Sequence, residues 1–262
     1  MADLSGRTAF VTAGSRGIGR AIALKLAAAG ANVGINYHTN HDAAEAVATQ
    51  IRAMGRRAET YAFDVSDWEA CQTAVTRALS DLGTIDILVN NAGVGGSTIG
   101  FPTIADTTIE QLNRIIGVSM WGALHMSKLL IEQMRQVDRS DIIMISSTMA
   151  QSHRANQGPY VMSKAAMEAL AHILAKEEYG YGTRVNIVAP GLVETDMGKL
   201  LMEQRPQLRT RNTVFGQLNQ PGDVANAVVF LCSEEARFIT DQRLTVDGGV
   251  LARGSGAQLS SP

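Results

Sequence analysis

Short apolar runs rich in β-branched residues alternate with longer stretches of helical periodicity along nearly the whole chain. No other feature limits the possible folds so strongly. The pattern predicts strands at Thr8–Thr12, Ala31–Asn36, Ala58–Phe63, Ile85–Asn90, Ile142–Ser146, Arg184–Ala189 and Arg243–Val246. Helices are predicted at Gly17–Ala29, His41–Met54, Asp67–Leu82, Thr108–Gln136, Pro159–Tyr179 and Pro221–Cys232. Strands separated by helices join through right-handed crossovers, so the expectation is an α/β fold: one doubly wound parallel sheet of about seven strands with helices on both faces.

With 262 residues the chain suits a single domain, expected over residues 1–252, followed by a mobile Gly-, Ala- and Ser-rich tail at 253–262. A net charge of −2 and the lack of a long basic run argue against a nucleic-acid partner. No apolar run approaches the ~20 residues that span a bilayer, and no apolar signal region opens the chain, so no membrane association is expected. The two cysteines, Cys71 and Cys232, share no motif spacing. They suit a reducing, cytoplasmic setting and no metal site.

In open parallel sheets ligands bind beyond the carboxyl ends of the strands. The first strand runs into Thr12-Ala13-Gly14-Ser15-Arg16-Gly17-Ile18-Gly19, and a helical pattern follows. Glycines there allow a tight turn and close approach to a pyrophosphate, while the helix start offers unpaired N–H groups to the phosphates. Selectivity for NAD usually shows as an acid at the end of the second strand. Here the stretch is Ile35-Asn36-Tyr37-His38, with no carboxylate before Asp42, and Arg16 stands in the glycine loop where it could meet a 2′-phosphate. These features favour NADP, with NAD as the alternative.

Tyr160 and Lys164 are four residues apart, on one face of a helical segment. A phenol titrates near ~10, and a neighbouring ammonium is expected to lower that value toward neutral pH. Ser147, just past the fifth strand, can hydrogen-bond a substrate oxygen beside the phenol. Ser146 competes for that role but, one residue away, is expected to point elsewhere.

Together these residues resemble the short-chain dehydrogenase/reductase family over about Gly6 to Gly249. The resemblance rests on the glycine loop, Asp64-Val65, Asn90-Asn91-Ala92-Gly93, Ser147, Tyr160, Lys164, Pro190-Gly191 with Thr195, and Val246-Asp247-Gly248-Gly249. It implies a Rossmann-type fold and hydride transfer between a nicotinamide cofactor and a carbonyl or alcohol carbon. Tyr160 would be the acid/base, Lys164 would tune it and bind the nicotinamide ribose, and Ser147 would orient the carbonyl. Gly14, Ser15, Arg16 and Ile18 would hold the phosphates, while Asn36, Tyr37, Asp64 and Val65 would surround the adenosine. Asn91, Ala92, Gly93, Pro190, Gly191, Val193 and Thr195 would line the nicotinamide end. Asn90 is open to either a cofactor-lining or a structural role. Overall likeness is greatest to 3-oxoacyl carrier-protein reductases, and the resemblance also implies a homotetramer or homodimer.

Two positions depart from the family pattern. Ala13 stands where a first glycine is usual, and its methyl is expected to crowd the turn. Ser119 stands where the family often has a catalytic asparagine, which predicts a proton relay through water. The leading expectation is an NADPH-dependent reductase turning a ketone, 3-oxoacyl-like or another small carbonyl, into a secondary alcohol. The alternatives are an NAD-dependent dehydrogenase of an alcohol, sugar, steroid or diol, and a cofactor-binding regulator without turnover. The substrate pocket is expected from Val94–Pro102, Ala150–Gln157 and a flap at Gly198–Phe215. His153 and Arg154 are candidates to meet a polar substrate, and Arg205, Arg209 and Arg211 to meet a carrier protein.

Overall fold

The computed structural model describes residues 2–95, 100, 102–204 and 213–250. The anticipated tail, the candidate cations Arg205, Arg209 and Arg211, and parts of the expected pocket and flap lie outside these residues. Seven parallel strands form one sheet in the order β3-β2-β1-β4-β5-β6-β7. They are β1 Thr8–Val11, β2 Asn32–Tyr37, β3 Ala58–Ala62, β4 Ile87–Asn90, β5 Ser140–Ile145, β6 Thr183–Pro190 and β7 Arg243–Val246. The order reverses between β1 and β4, and at such a switch a crevice opens beyond the strand ends.

The helices are α1 Gly17–Ala28, α2 His41–Ala53, α3 Trp68–Leu82, α4 Ile109–Ile116, α5 Gly122–Met134, α6 Met149–Ser152, α7 Gly158–Glu177, α8 Asp196–Gln204 and α9 Pro221–Cys232. One core cluster packs α1, α2 and α9 on one face of the sheet through Ile22, Leu26, Val47, Ile51, Val224 and Val228. The other packs α3, α5 and α7 on the opposite face through Val75, Ala78, Met126, Leu130, Met167 and Ala171. Strands buried on both faces read as continuous apolar runs, which is why β1 (TAFV) and β4 (ILVN) are legible without alternation.

Capping residues explain where several helices start. Asn40 accepts from the backbone of Ala43, Asp67 from Ala70, and Thr108 forms a reciprocal capping box with Gln111. The first helix is different: Arg16 sits at its N-cap with no side-chain cap hydrogen bond. Its leading N–H groups therefore remain available to a ligand.

Three departures from the expected elements stand out. The rod predicted over Thr108–Gln136 is not one α-helix, because a π-helical turn at Gly117–Trp121 separates α4 from α5. A glycine stands at the start of this turn and another just after it, where neighbours come close. A Cβ on Gly122 would meet Val65 Cγ2 at 2.6 Å, and one on Gly117 would meet Ser66 Cβ at 3.3 Å. Periodicity over so long a stretch does not register a single extra residue. The other two departures are α6 and α8, helices too short or too mixed in composition to show a face.

Candidate active site

Past the carboxyl ends of the strands lies a cleft of about 380 Å³. It is lined by the glycine loop through Ala13, Arg16, Gly17, Ile18 and Gly19, and by Asn91 and Gly93 after β4. Ile145 and Ser146 at the end of β5, Tyr160 and Lys164 of α7, and Thr195, Asp196 and Met197 at the start of α8 complete the lining.

The loop is built around Thr12, which the sequence did not single out, and Asn91, which it offered as a cofactor contact. Thr12 Oγ1 accepts from the backbone N–H groups of both Asn91 and Ala92 at 2.9 Å. The Asn91 side chain donates to Thr12 O at 2.9 Å and to Ala13 O at 3.2 Å. The glycine loop is thus tied to the end of β4. Gly19 is required by this arrangement, since a Cβ there would meet Ala13 O at 2.2 Å and Asn91 Nδ2 at 2.5 Å. Ala13 has φ 50°, in the left-handed region, so the expected crowding is realised as backbone strain at the one loop position where glycine would be easier.

Asn36 has a different role from the one its position implied. It is buried, its Oδ1 accepts from the backbone N–H of Ala13 at 3.0 Å, and its Nδ2 donates to Phe63 O at 3.0 Å. Its amide links the glycine loop to β3, leaving nothing directed at a ligand. Tyr37 is also buried, edge-on to His41. The exposed side chain at this end of β2 is His38, 3.7 Å from Asp64. Asp64 accepts from the Ser66 backbone and hydroxyl and pairs with Arg114. Burial pushes its carboxyl up, but these hydrogen bonds and the Arg114 charge outweigh burial and hold it below the ordinary value. Val65 is buried against Gly122. Arg16 is exposed at the edge of the cleft and has no ion-pair partner among the described residues.

At the other end, Lys164 is 3% exposed and donates from Nζ to Ile145 O at 2.8 Å. Burial draws its ammonium down to about 8, with Glu168 opposing. Nζ lies 6.0 Å from the centre of the Tyr160 ring, so the two side chains share the cleft as their spacing implied. The phenol is not lowered overall. Burial pushes it up, and the Ser147 hydroxyl beside it offsets this only in part. Ser147 Oγ accepts from the backbone of Met149 at 3.2 Å, the first turn of α6. The Ser146 hydroxyl donates to Glu168 Oε1 at 2.6 Å, although Ser146, unlike Ser147, lines the cleft.

Ser119 lies in the π-helical turn, fully buried, and its hydroxyl has no hydrogen-bond partner. A Cβ added to Gly93 would meet Lys164 Nζ at 3.2 Å and Ser119 Oγ at 3.6 Å, so these two groups flank the space above Gly93. Asn90 has the structural role, donating to Ser127 Oγ at 3.1 Å inside the core. Pro190, Gly191, Val193 and Ala92 shape the walls from behind. Pro190 O accepts from the Thr148 backbone at 2.9 Å, and a Cβ on Gly191 would meet Asp247 Cβ at 2.8 Å. The Thr195 methyl faces Gly17, and a Cβ on Gly95 would meet Met197 Sδ at 2.8 Å, so the segment leading into α8 rests on two glycines across the cleft. His153 and Arg154 are exposed, with His153 in a left-handed conformation at φ 43°.

The residues present fit a dinucleotide. An uncapped helix start and a glycine turn face one end, a buried ammonium and a phenol face the other, and a free guanidinium marks the rim. Residues 12–251 match the family described as enoyl-(acyl carrier protein) reductase. The chain is 36% identical over 244 residues to an acetoacetyl-CoA reductase of Rhizobium meliloti, covering 93% of this chain and 98% of that one. It is 35% identical over 248 residues to a 3-oxoacyl-[acyl-carrier-protein] reductase of Vibrio harveyi, covering 95% and 98%. Among solved structures, a short-chain dehydrogenase from Burkholderia cenocepacia in complex with NADP superposes with a TM-score of 0.86 at 35% identity, covering 94% of this chain and 98% of that one.

Proposed function

The chain belongs to the short-chain dehydrogenase/reductase family, as an oxidoreductase of carbonyl and CH–OH groups, and from that premise we propose that it reduces a 3-oxoacyl thioester or similar ketone with NADPH. One observation carries this reading: Tyr160 and the buried ammonium of Lys164 line the same cleft as the α1 glycine loop. The acyl-thioester and acyl-carrier reductases among its relatives support the substrate class.

The glycine loop, Asn91, Gly93 and Thr195 would hold a nicotinamide cofactor, which would supply the hydride. Ser147 and Tyr160 donate hydrogen bonds to the substrate oxygen, and Tyr160 gives it a proton as negative charge builds there. Lys164 holds its positive charge beside the phenol, favouring the phenolate that remains. Proton return runs through the space above Gly93, where the unpartnered Ser119 hydroxyl and the Lys164 ammonium can share a water. Arg16, with no carboxylate partner among the described residues, would meet the 2′-phosphate. The apolar side chains exposed on the outer helices, Ile109, Trp121 and Ile173, support a homo-oligomer, to be read by sedimentation.

The test is initial-rate kinetics on acetoacetyl-CoA and a panel of ketones with NADPH and with NADH. A preference for NADPH that Arg16→Ala removes, leaving turnover with NADH intact, is the expected result. Turnover of alcohols with NAD alone, unaffected by Arg16→Ala, would overturn the cofactor assignment.

A further inference from the structure

Behind the cleft, a layer of charged side chains joins three elements. One face of α7 carries Tyr160, Lys164, Glu168 and His172 at four-residue spacing. Glu168 Oε1 accepts from Ser146 Oγ at 2.6 Å and from Arg243 Nε at 2.9 Å, and these two charged side chains are only 12% and 11% exposed. Arg243 enters from β7 and donates with its other nitrogens to Thr245 Oγ1 at 2.7 Å and to the backbone carbonyl of Ser147 at 3.2 Å. Three consecutive residues are therefore each held by a different charged group: Ile145 O by Lys164, Ser146 Oγ by Glu168, and Ser147 O by Arg243. In the sheet β6 separates β7 from β5, so backbone pairing alone does not link the Arg243 strand to the serine. Desolvation offsets most of what a buried ion pair contributes to stability. Fixed direction is what remains, and the planar fork of an arginine supplies it at several acceptors at once.

We propose that Glu168 and Arg243 are a coupled pair of positioning residues, which fix the Ser147 peptide and hold the end of β5 against α7 so that Ser147, Tyr160 and Lys164 converge on one point. The pair also sets the charge around the lysine. Facing Lys164 are Tyr160 and Glu168 on its own helix and, across the cleft, Arg16 and Asp196. Facing Glu168 are Lys164 and Arg243, while His172, one turn on, is paired with Asp241 at 2.5 Å.

The rate readout rests on the reductase reading, whereas a titration of the protein without cofactor does not. Lys164 is followed by NMR against pH in the parent protein, Glu168→Gln, Arg243→Gln and the double variant, beside pH–rate profiles and cofactor affinity. Glu168→Gln is expected to move the Lys164 midpoint down by roughly one pH unit. Arg243→Gln, which leaves the carboxylate uncompensated, moves it up. Each variant loses turnover on the order of 10- to 100-fold through misplacement of Ser147, with cofactor affinity unchanged. The double variant loses no more than the worse single one. It removes both charges of the pair and leaves neither uncompensated, so it serves as the test if Arg243→Gln does not fold. An unmoved Lys164 midpoint in Glu168→Gln, or undiminished turnover in the folded double variant, overturns the proposal. A parent protein that reduces no ketone defeats the functional reading alone, because the opposite midpoint shifts still report on the pair.

Discussion

The two ends of the same sheet handle charge in opposite ways. At the amino ends of the strands, Asp141 is fully buried with Arg184 at 2.5 Å, Arg7 at 2.7 Å and Arg139 at 3.7 Å. Arg7 also reaches Asp86 at 2.6 Å and Cys232 O at 2.9 Å, which ties the starts of β1, β4 and β5 to the end of α9. At the carboxyl ends Asp64 pairs with Arg114 and Glu168 with Arg243, but the charged groups that line the cleft are left without such partners. Among the described residues Lys164 has no carboxylate within 4.0 Å, Arg16 has no ion pair and the Ser119 hydroxyl has no partner, while Ala13 is held in a left-handed conformation. One end neutralises its charges and binds strands together, while the other keeps charge and strain for a ligand to relieve. This is the division expected when a fold concentrates its local inconsistencies at the functional site.

Substitutions at each end test the contrast. Tyr160→Phe should fold, bind cofactor and lose roughly 10²- to 10⁴-fold in turnover, since only the proton donor is removed. Unchanged turnover would move the acid elsewhere. At the opposite end, Asp141→Asn strips three guanidiniums of their common counter-charge and should destabilise by about 3–5 kcal/mol, leaving catalysis by the surviving folded protein intact. Denaturant titration reads this, and a loss below 1 kcal/mol would show that solvent already screens the cluster.

Lys164→Met should abolish turnover yet stabilise the cofactor-free protein, by about 1–2 kcal/mol at neutral pH. The sign follows from the direction of the shift. Burial holds the folded ammonium at about 8, below the ordinary ~10.4, so the penalty is fully present below pH 8. Between those values the unfolded chain binds more protons, and this group's contribution to stability rises with pH. The methionine variant should lose that rise; a variant less stable than the parent at pH 7 would contradict the account. The smallest effect is expected for Ala13→Gly, which relieves the left-handed backbone but adds unfolded-chain entropy, for a net gain of about 1 kcal/mol or less. A loss of stability there would mean that the methyl packs better than its backbone angle implies.

The sequence disclosed the sheet because each strand is buried on both faces and each crossover helix is long enough to show a period. It singled out Tyr160, Lys164 and Ser147 as candidates because such a proposal depends on local spacing and on position after a strand, and the fold brings Tyr160 and Lys164 into one cleft. It concealed whatever depends on contacts between distant residues. Asn36 reads as a ligand contact until its amide is seen bonded to Ala13 and Phe63. Thr12 looks like a strand residue until Asn91 and Ala92 are found donating to it. Glu168 and Arg243, 75 residues apart, carry no mark of their partnership. The expected lowering of the phenol failed for a related reason: spacing gives the neighbour but not the depth of burial, and burial dominates.

The π-helical turn has a consequence for the rod around it. Up to Trp121 the rod, α4 and the turn alike, lies against α7, whereas α5 lies against α3 and β4. One residue more than the α period advances the phase by about 100°. The surplus residue thus works as a swivel that lets a single helical stem serve two neighbours. Deleting one residue there would keep the stem helical but turn everything beyond it, sending the apolar stripe of α5 out toward solvent and withdrawing Ser119 from the lysine.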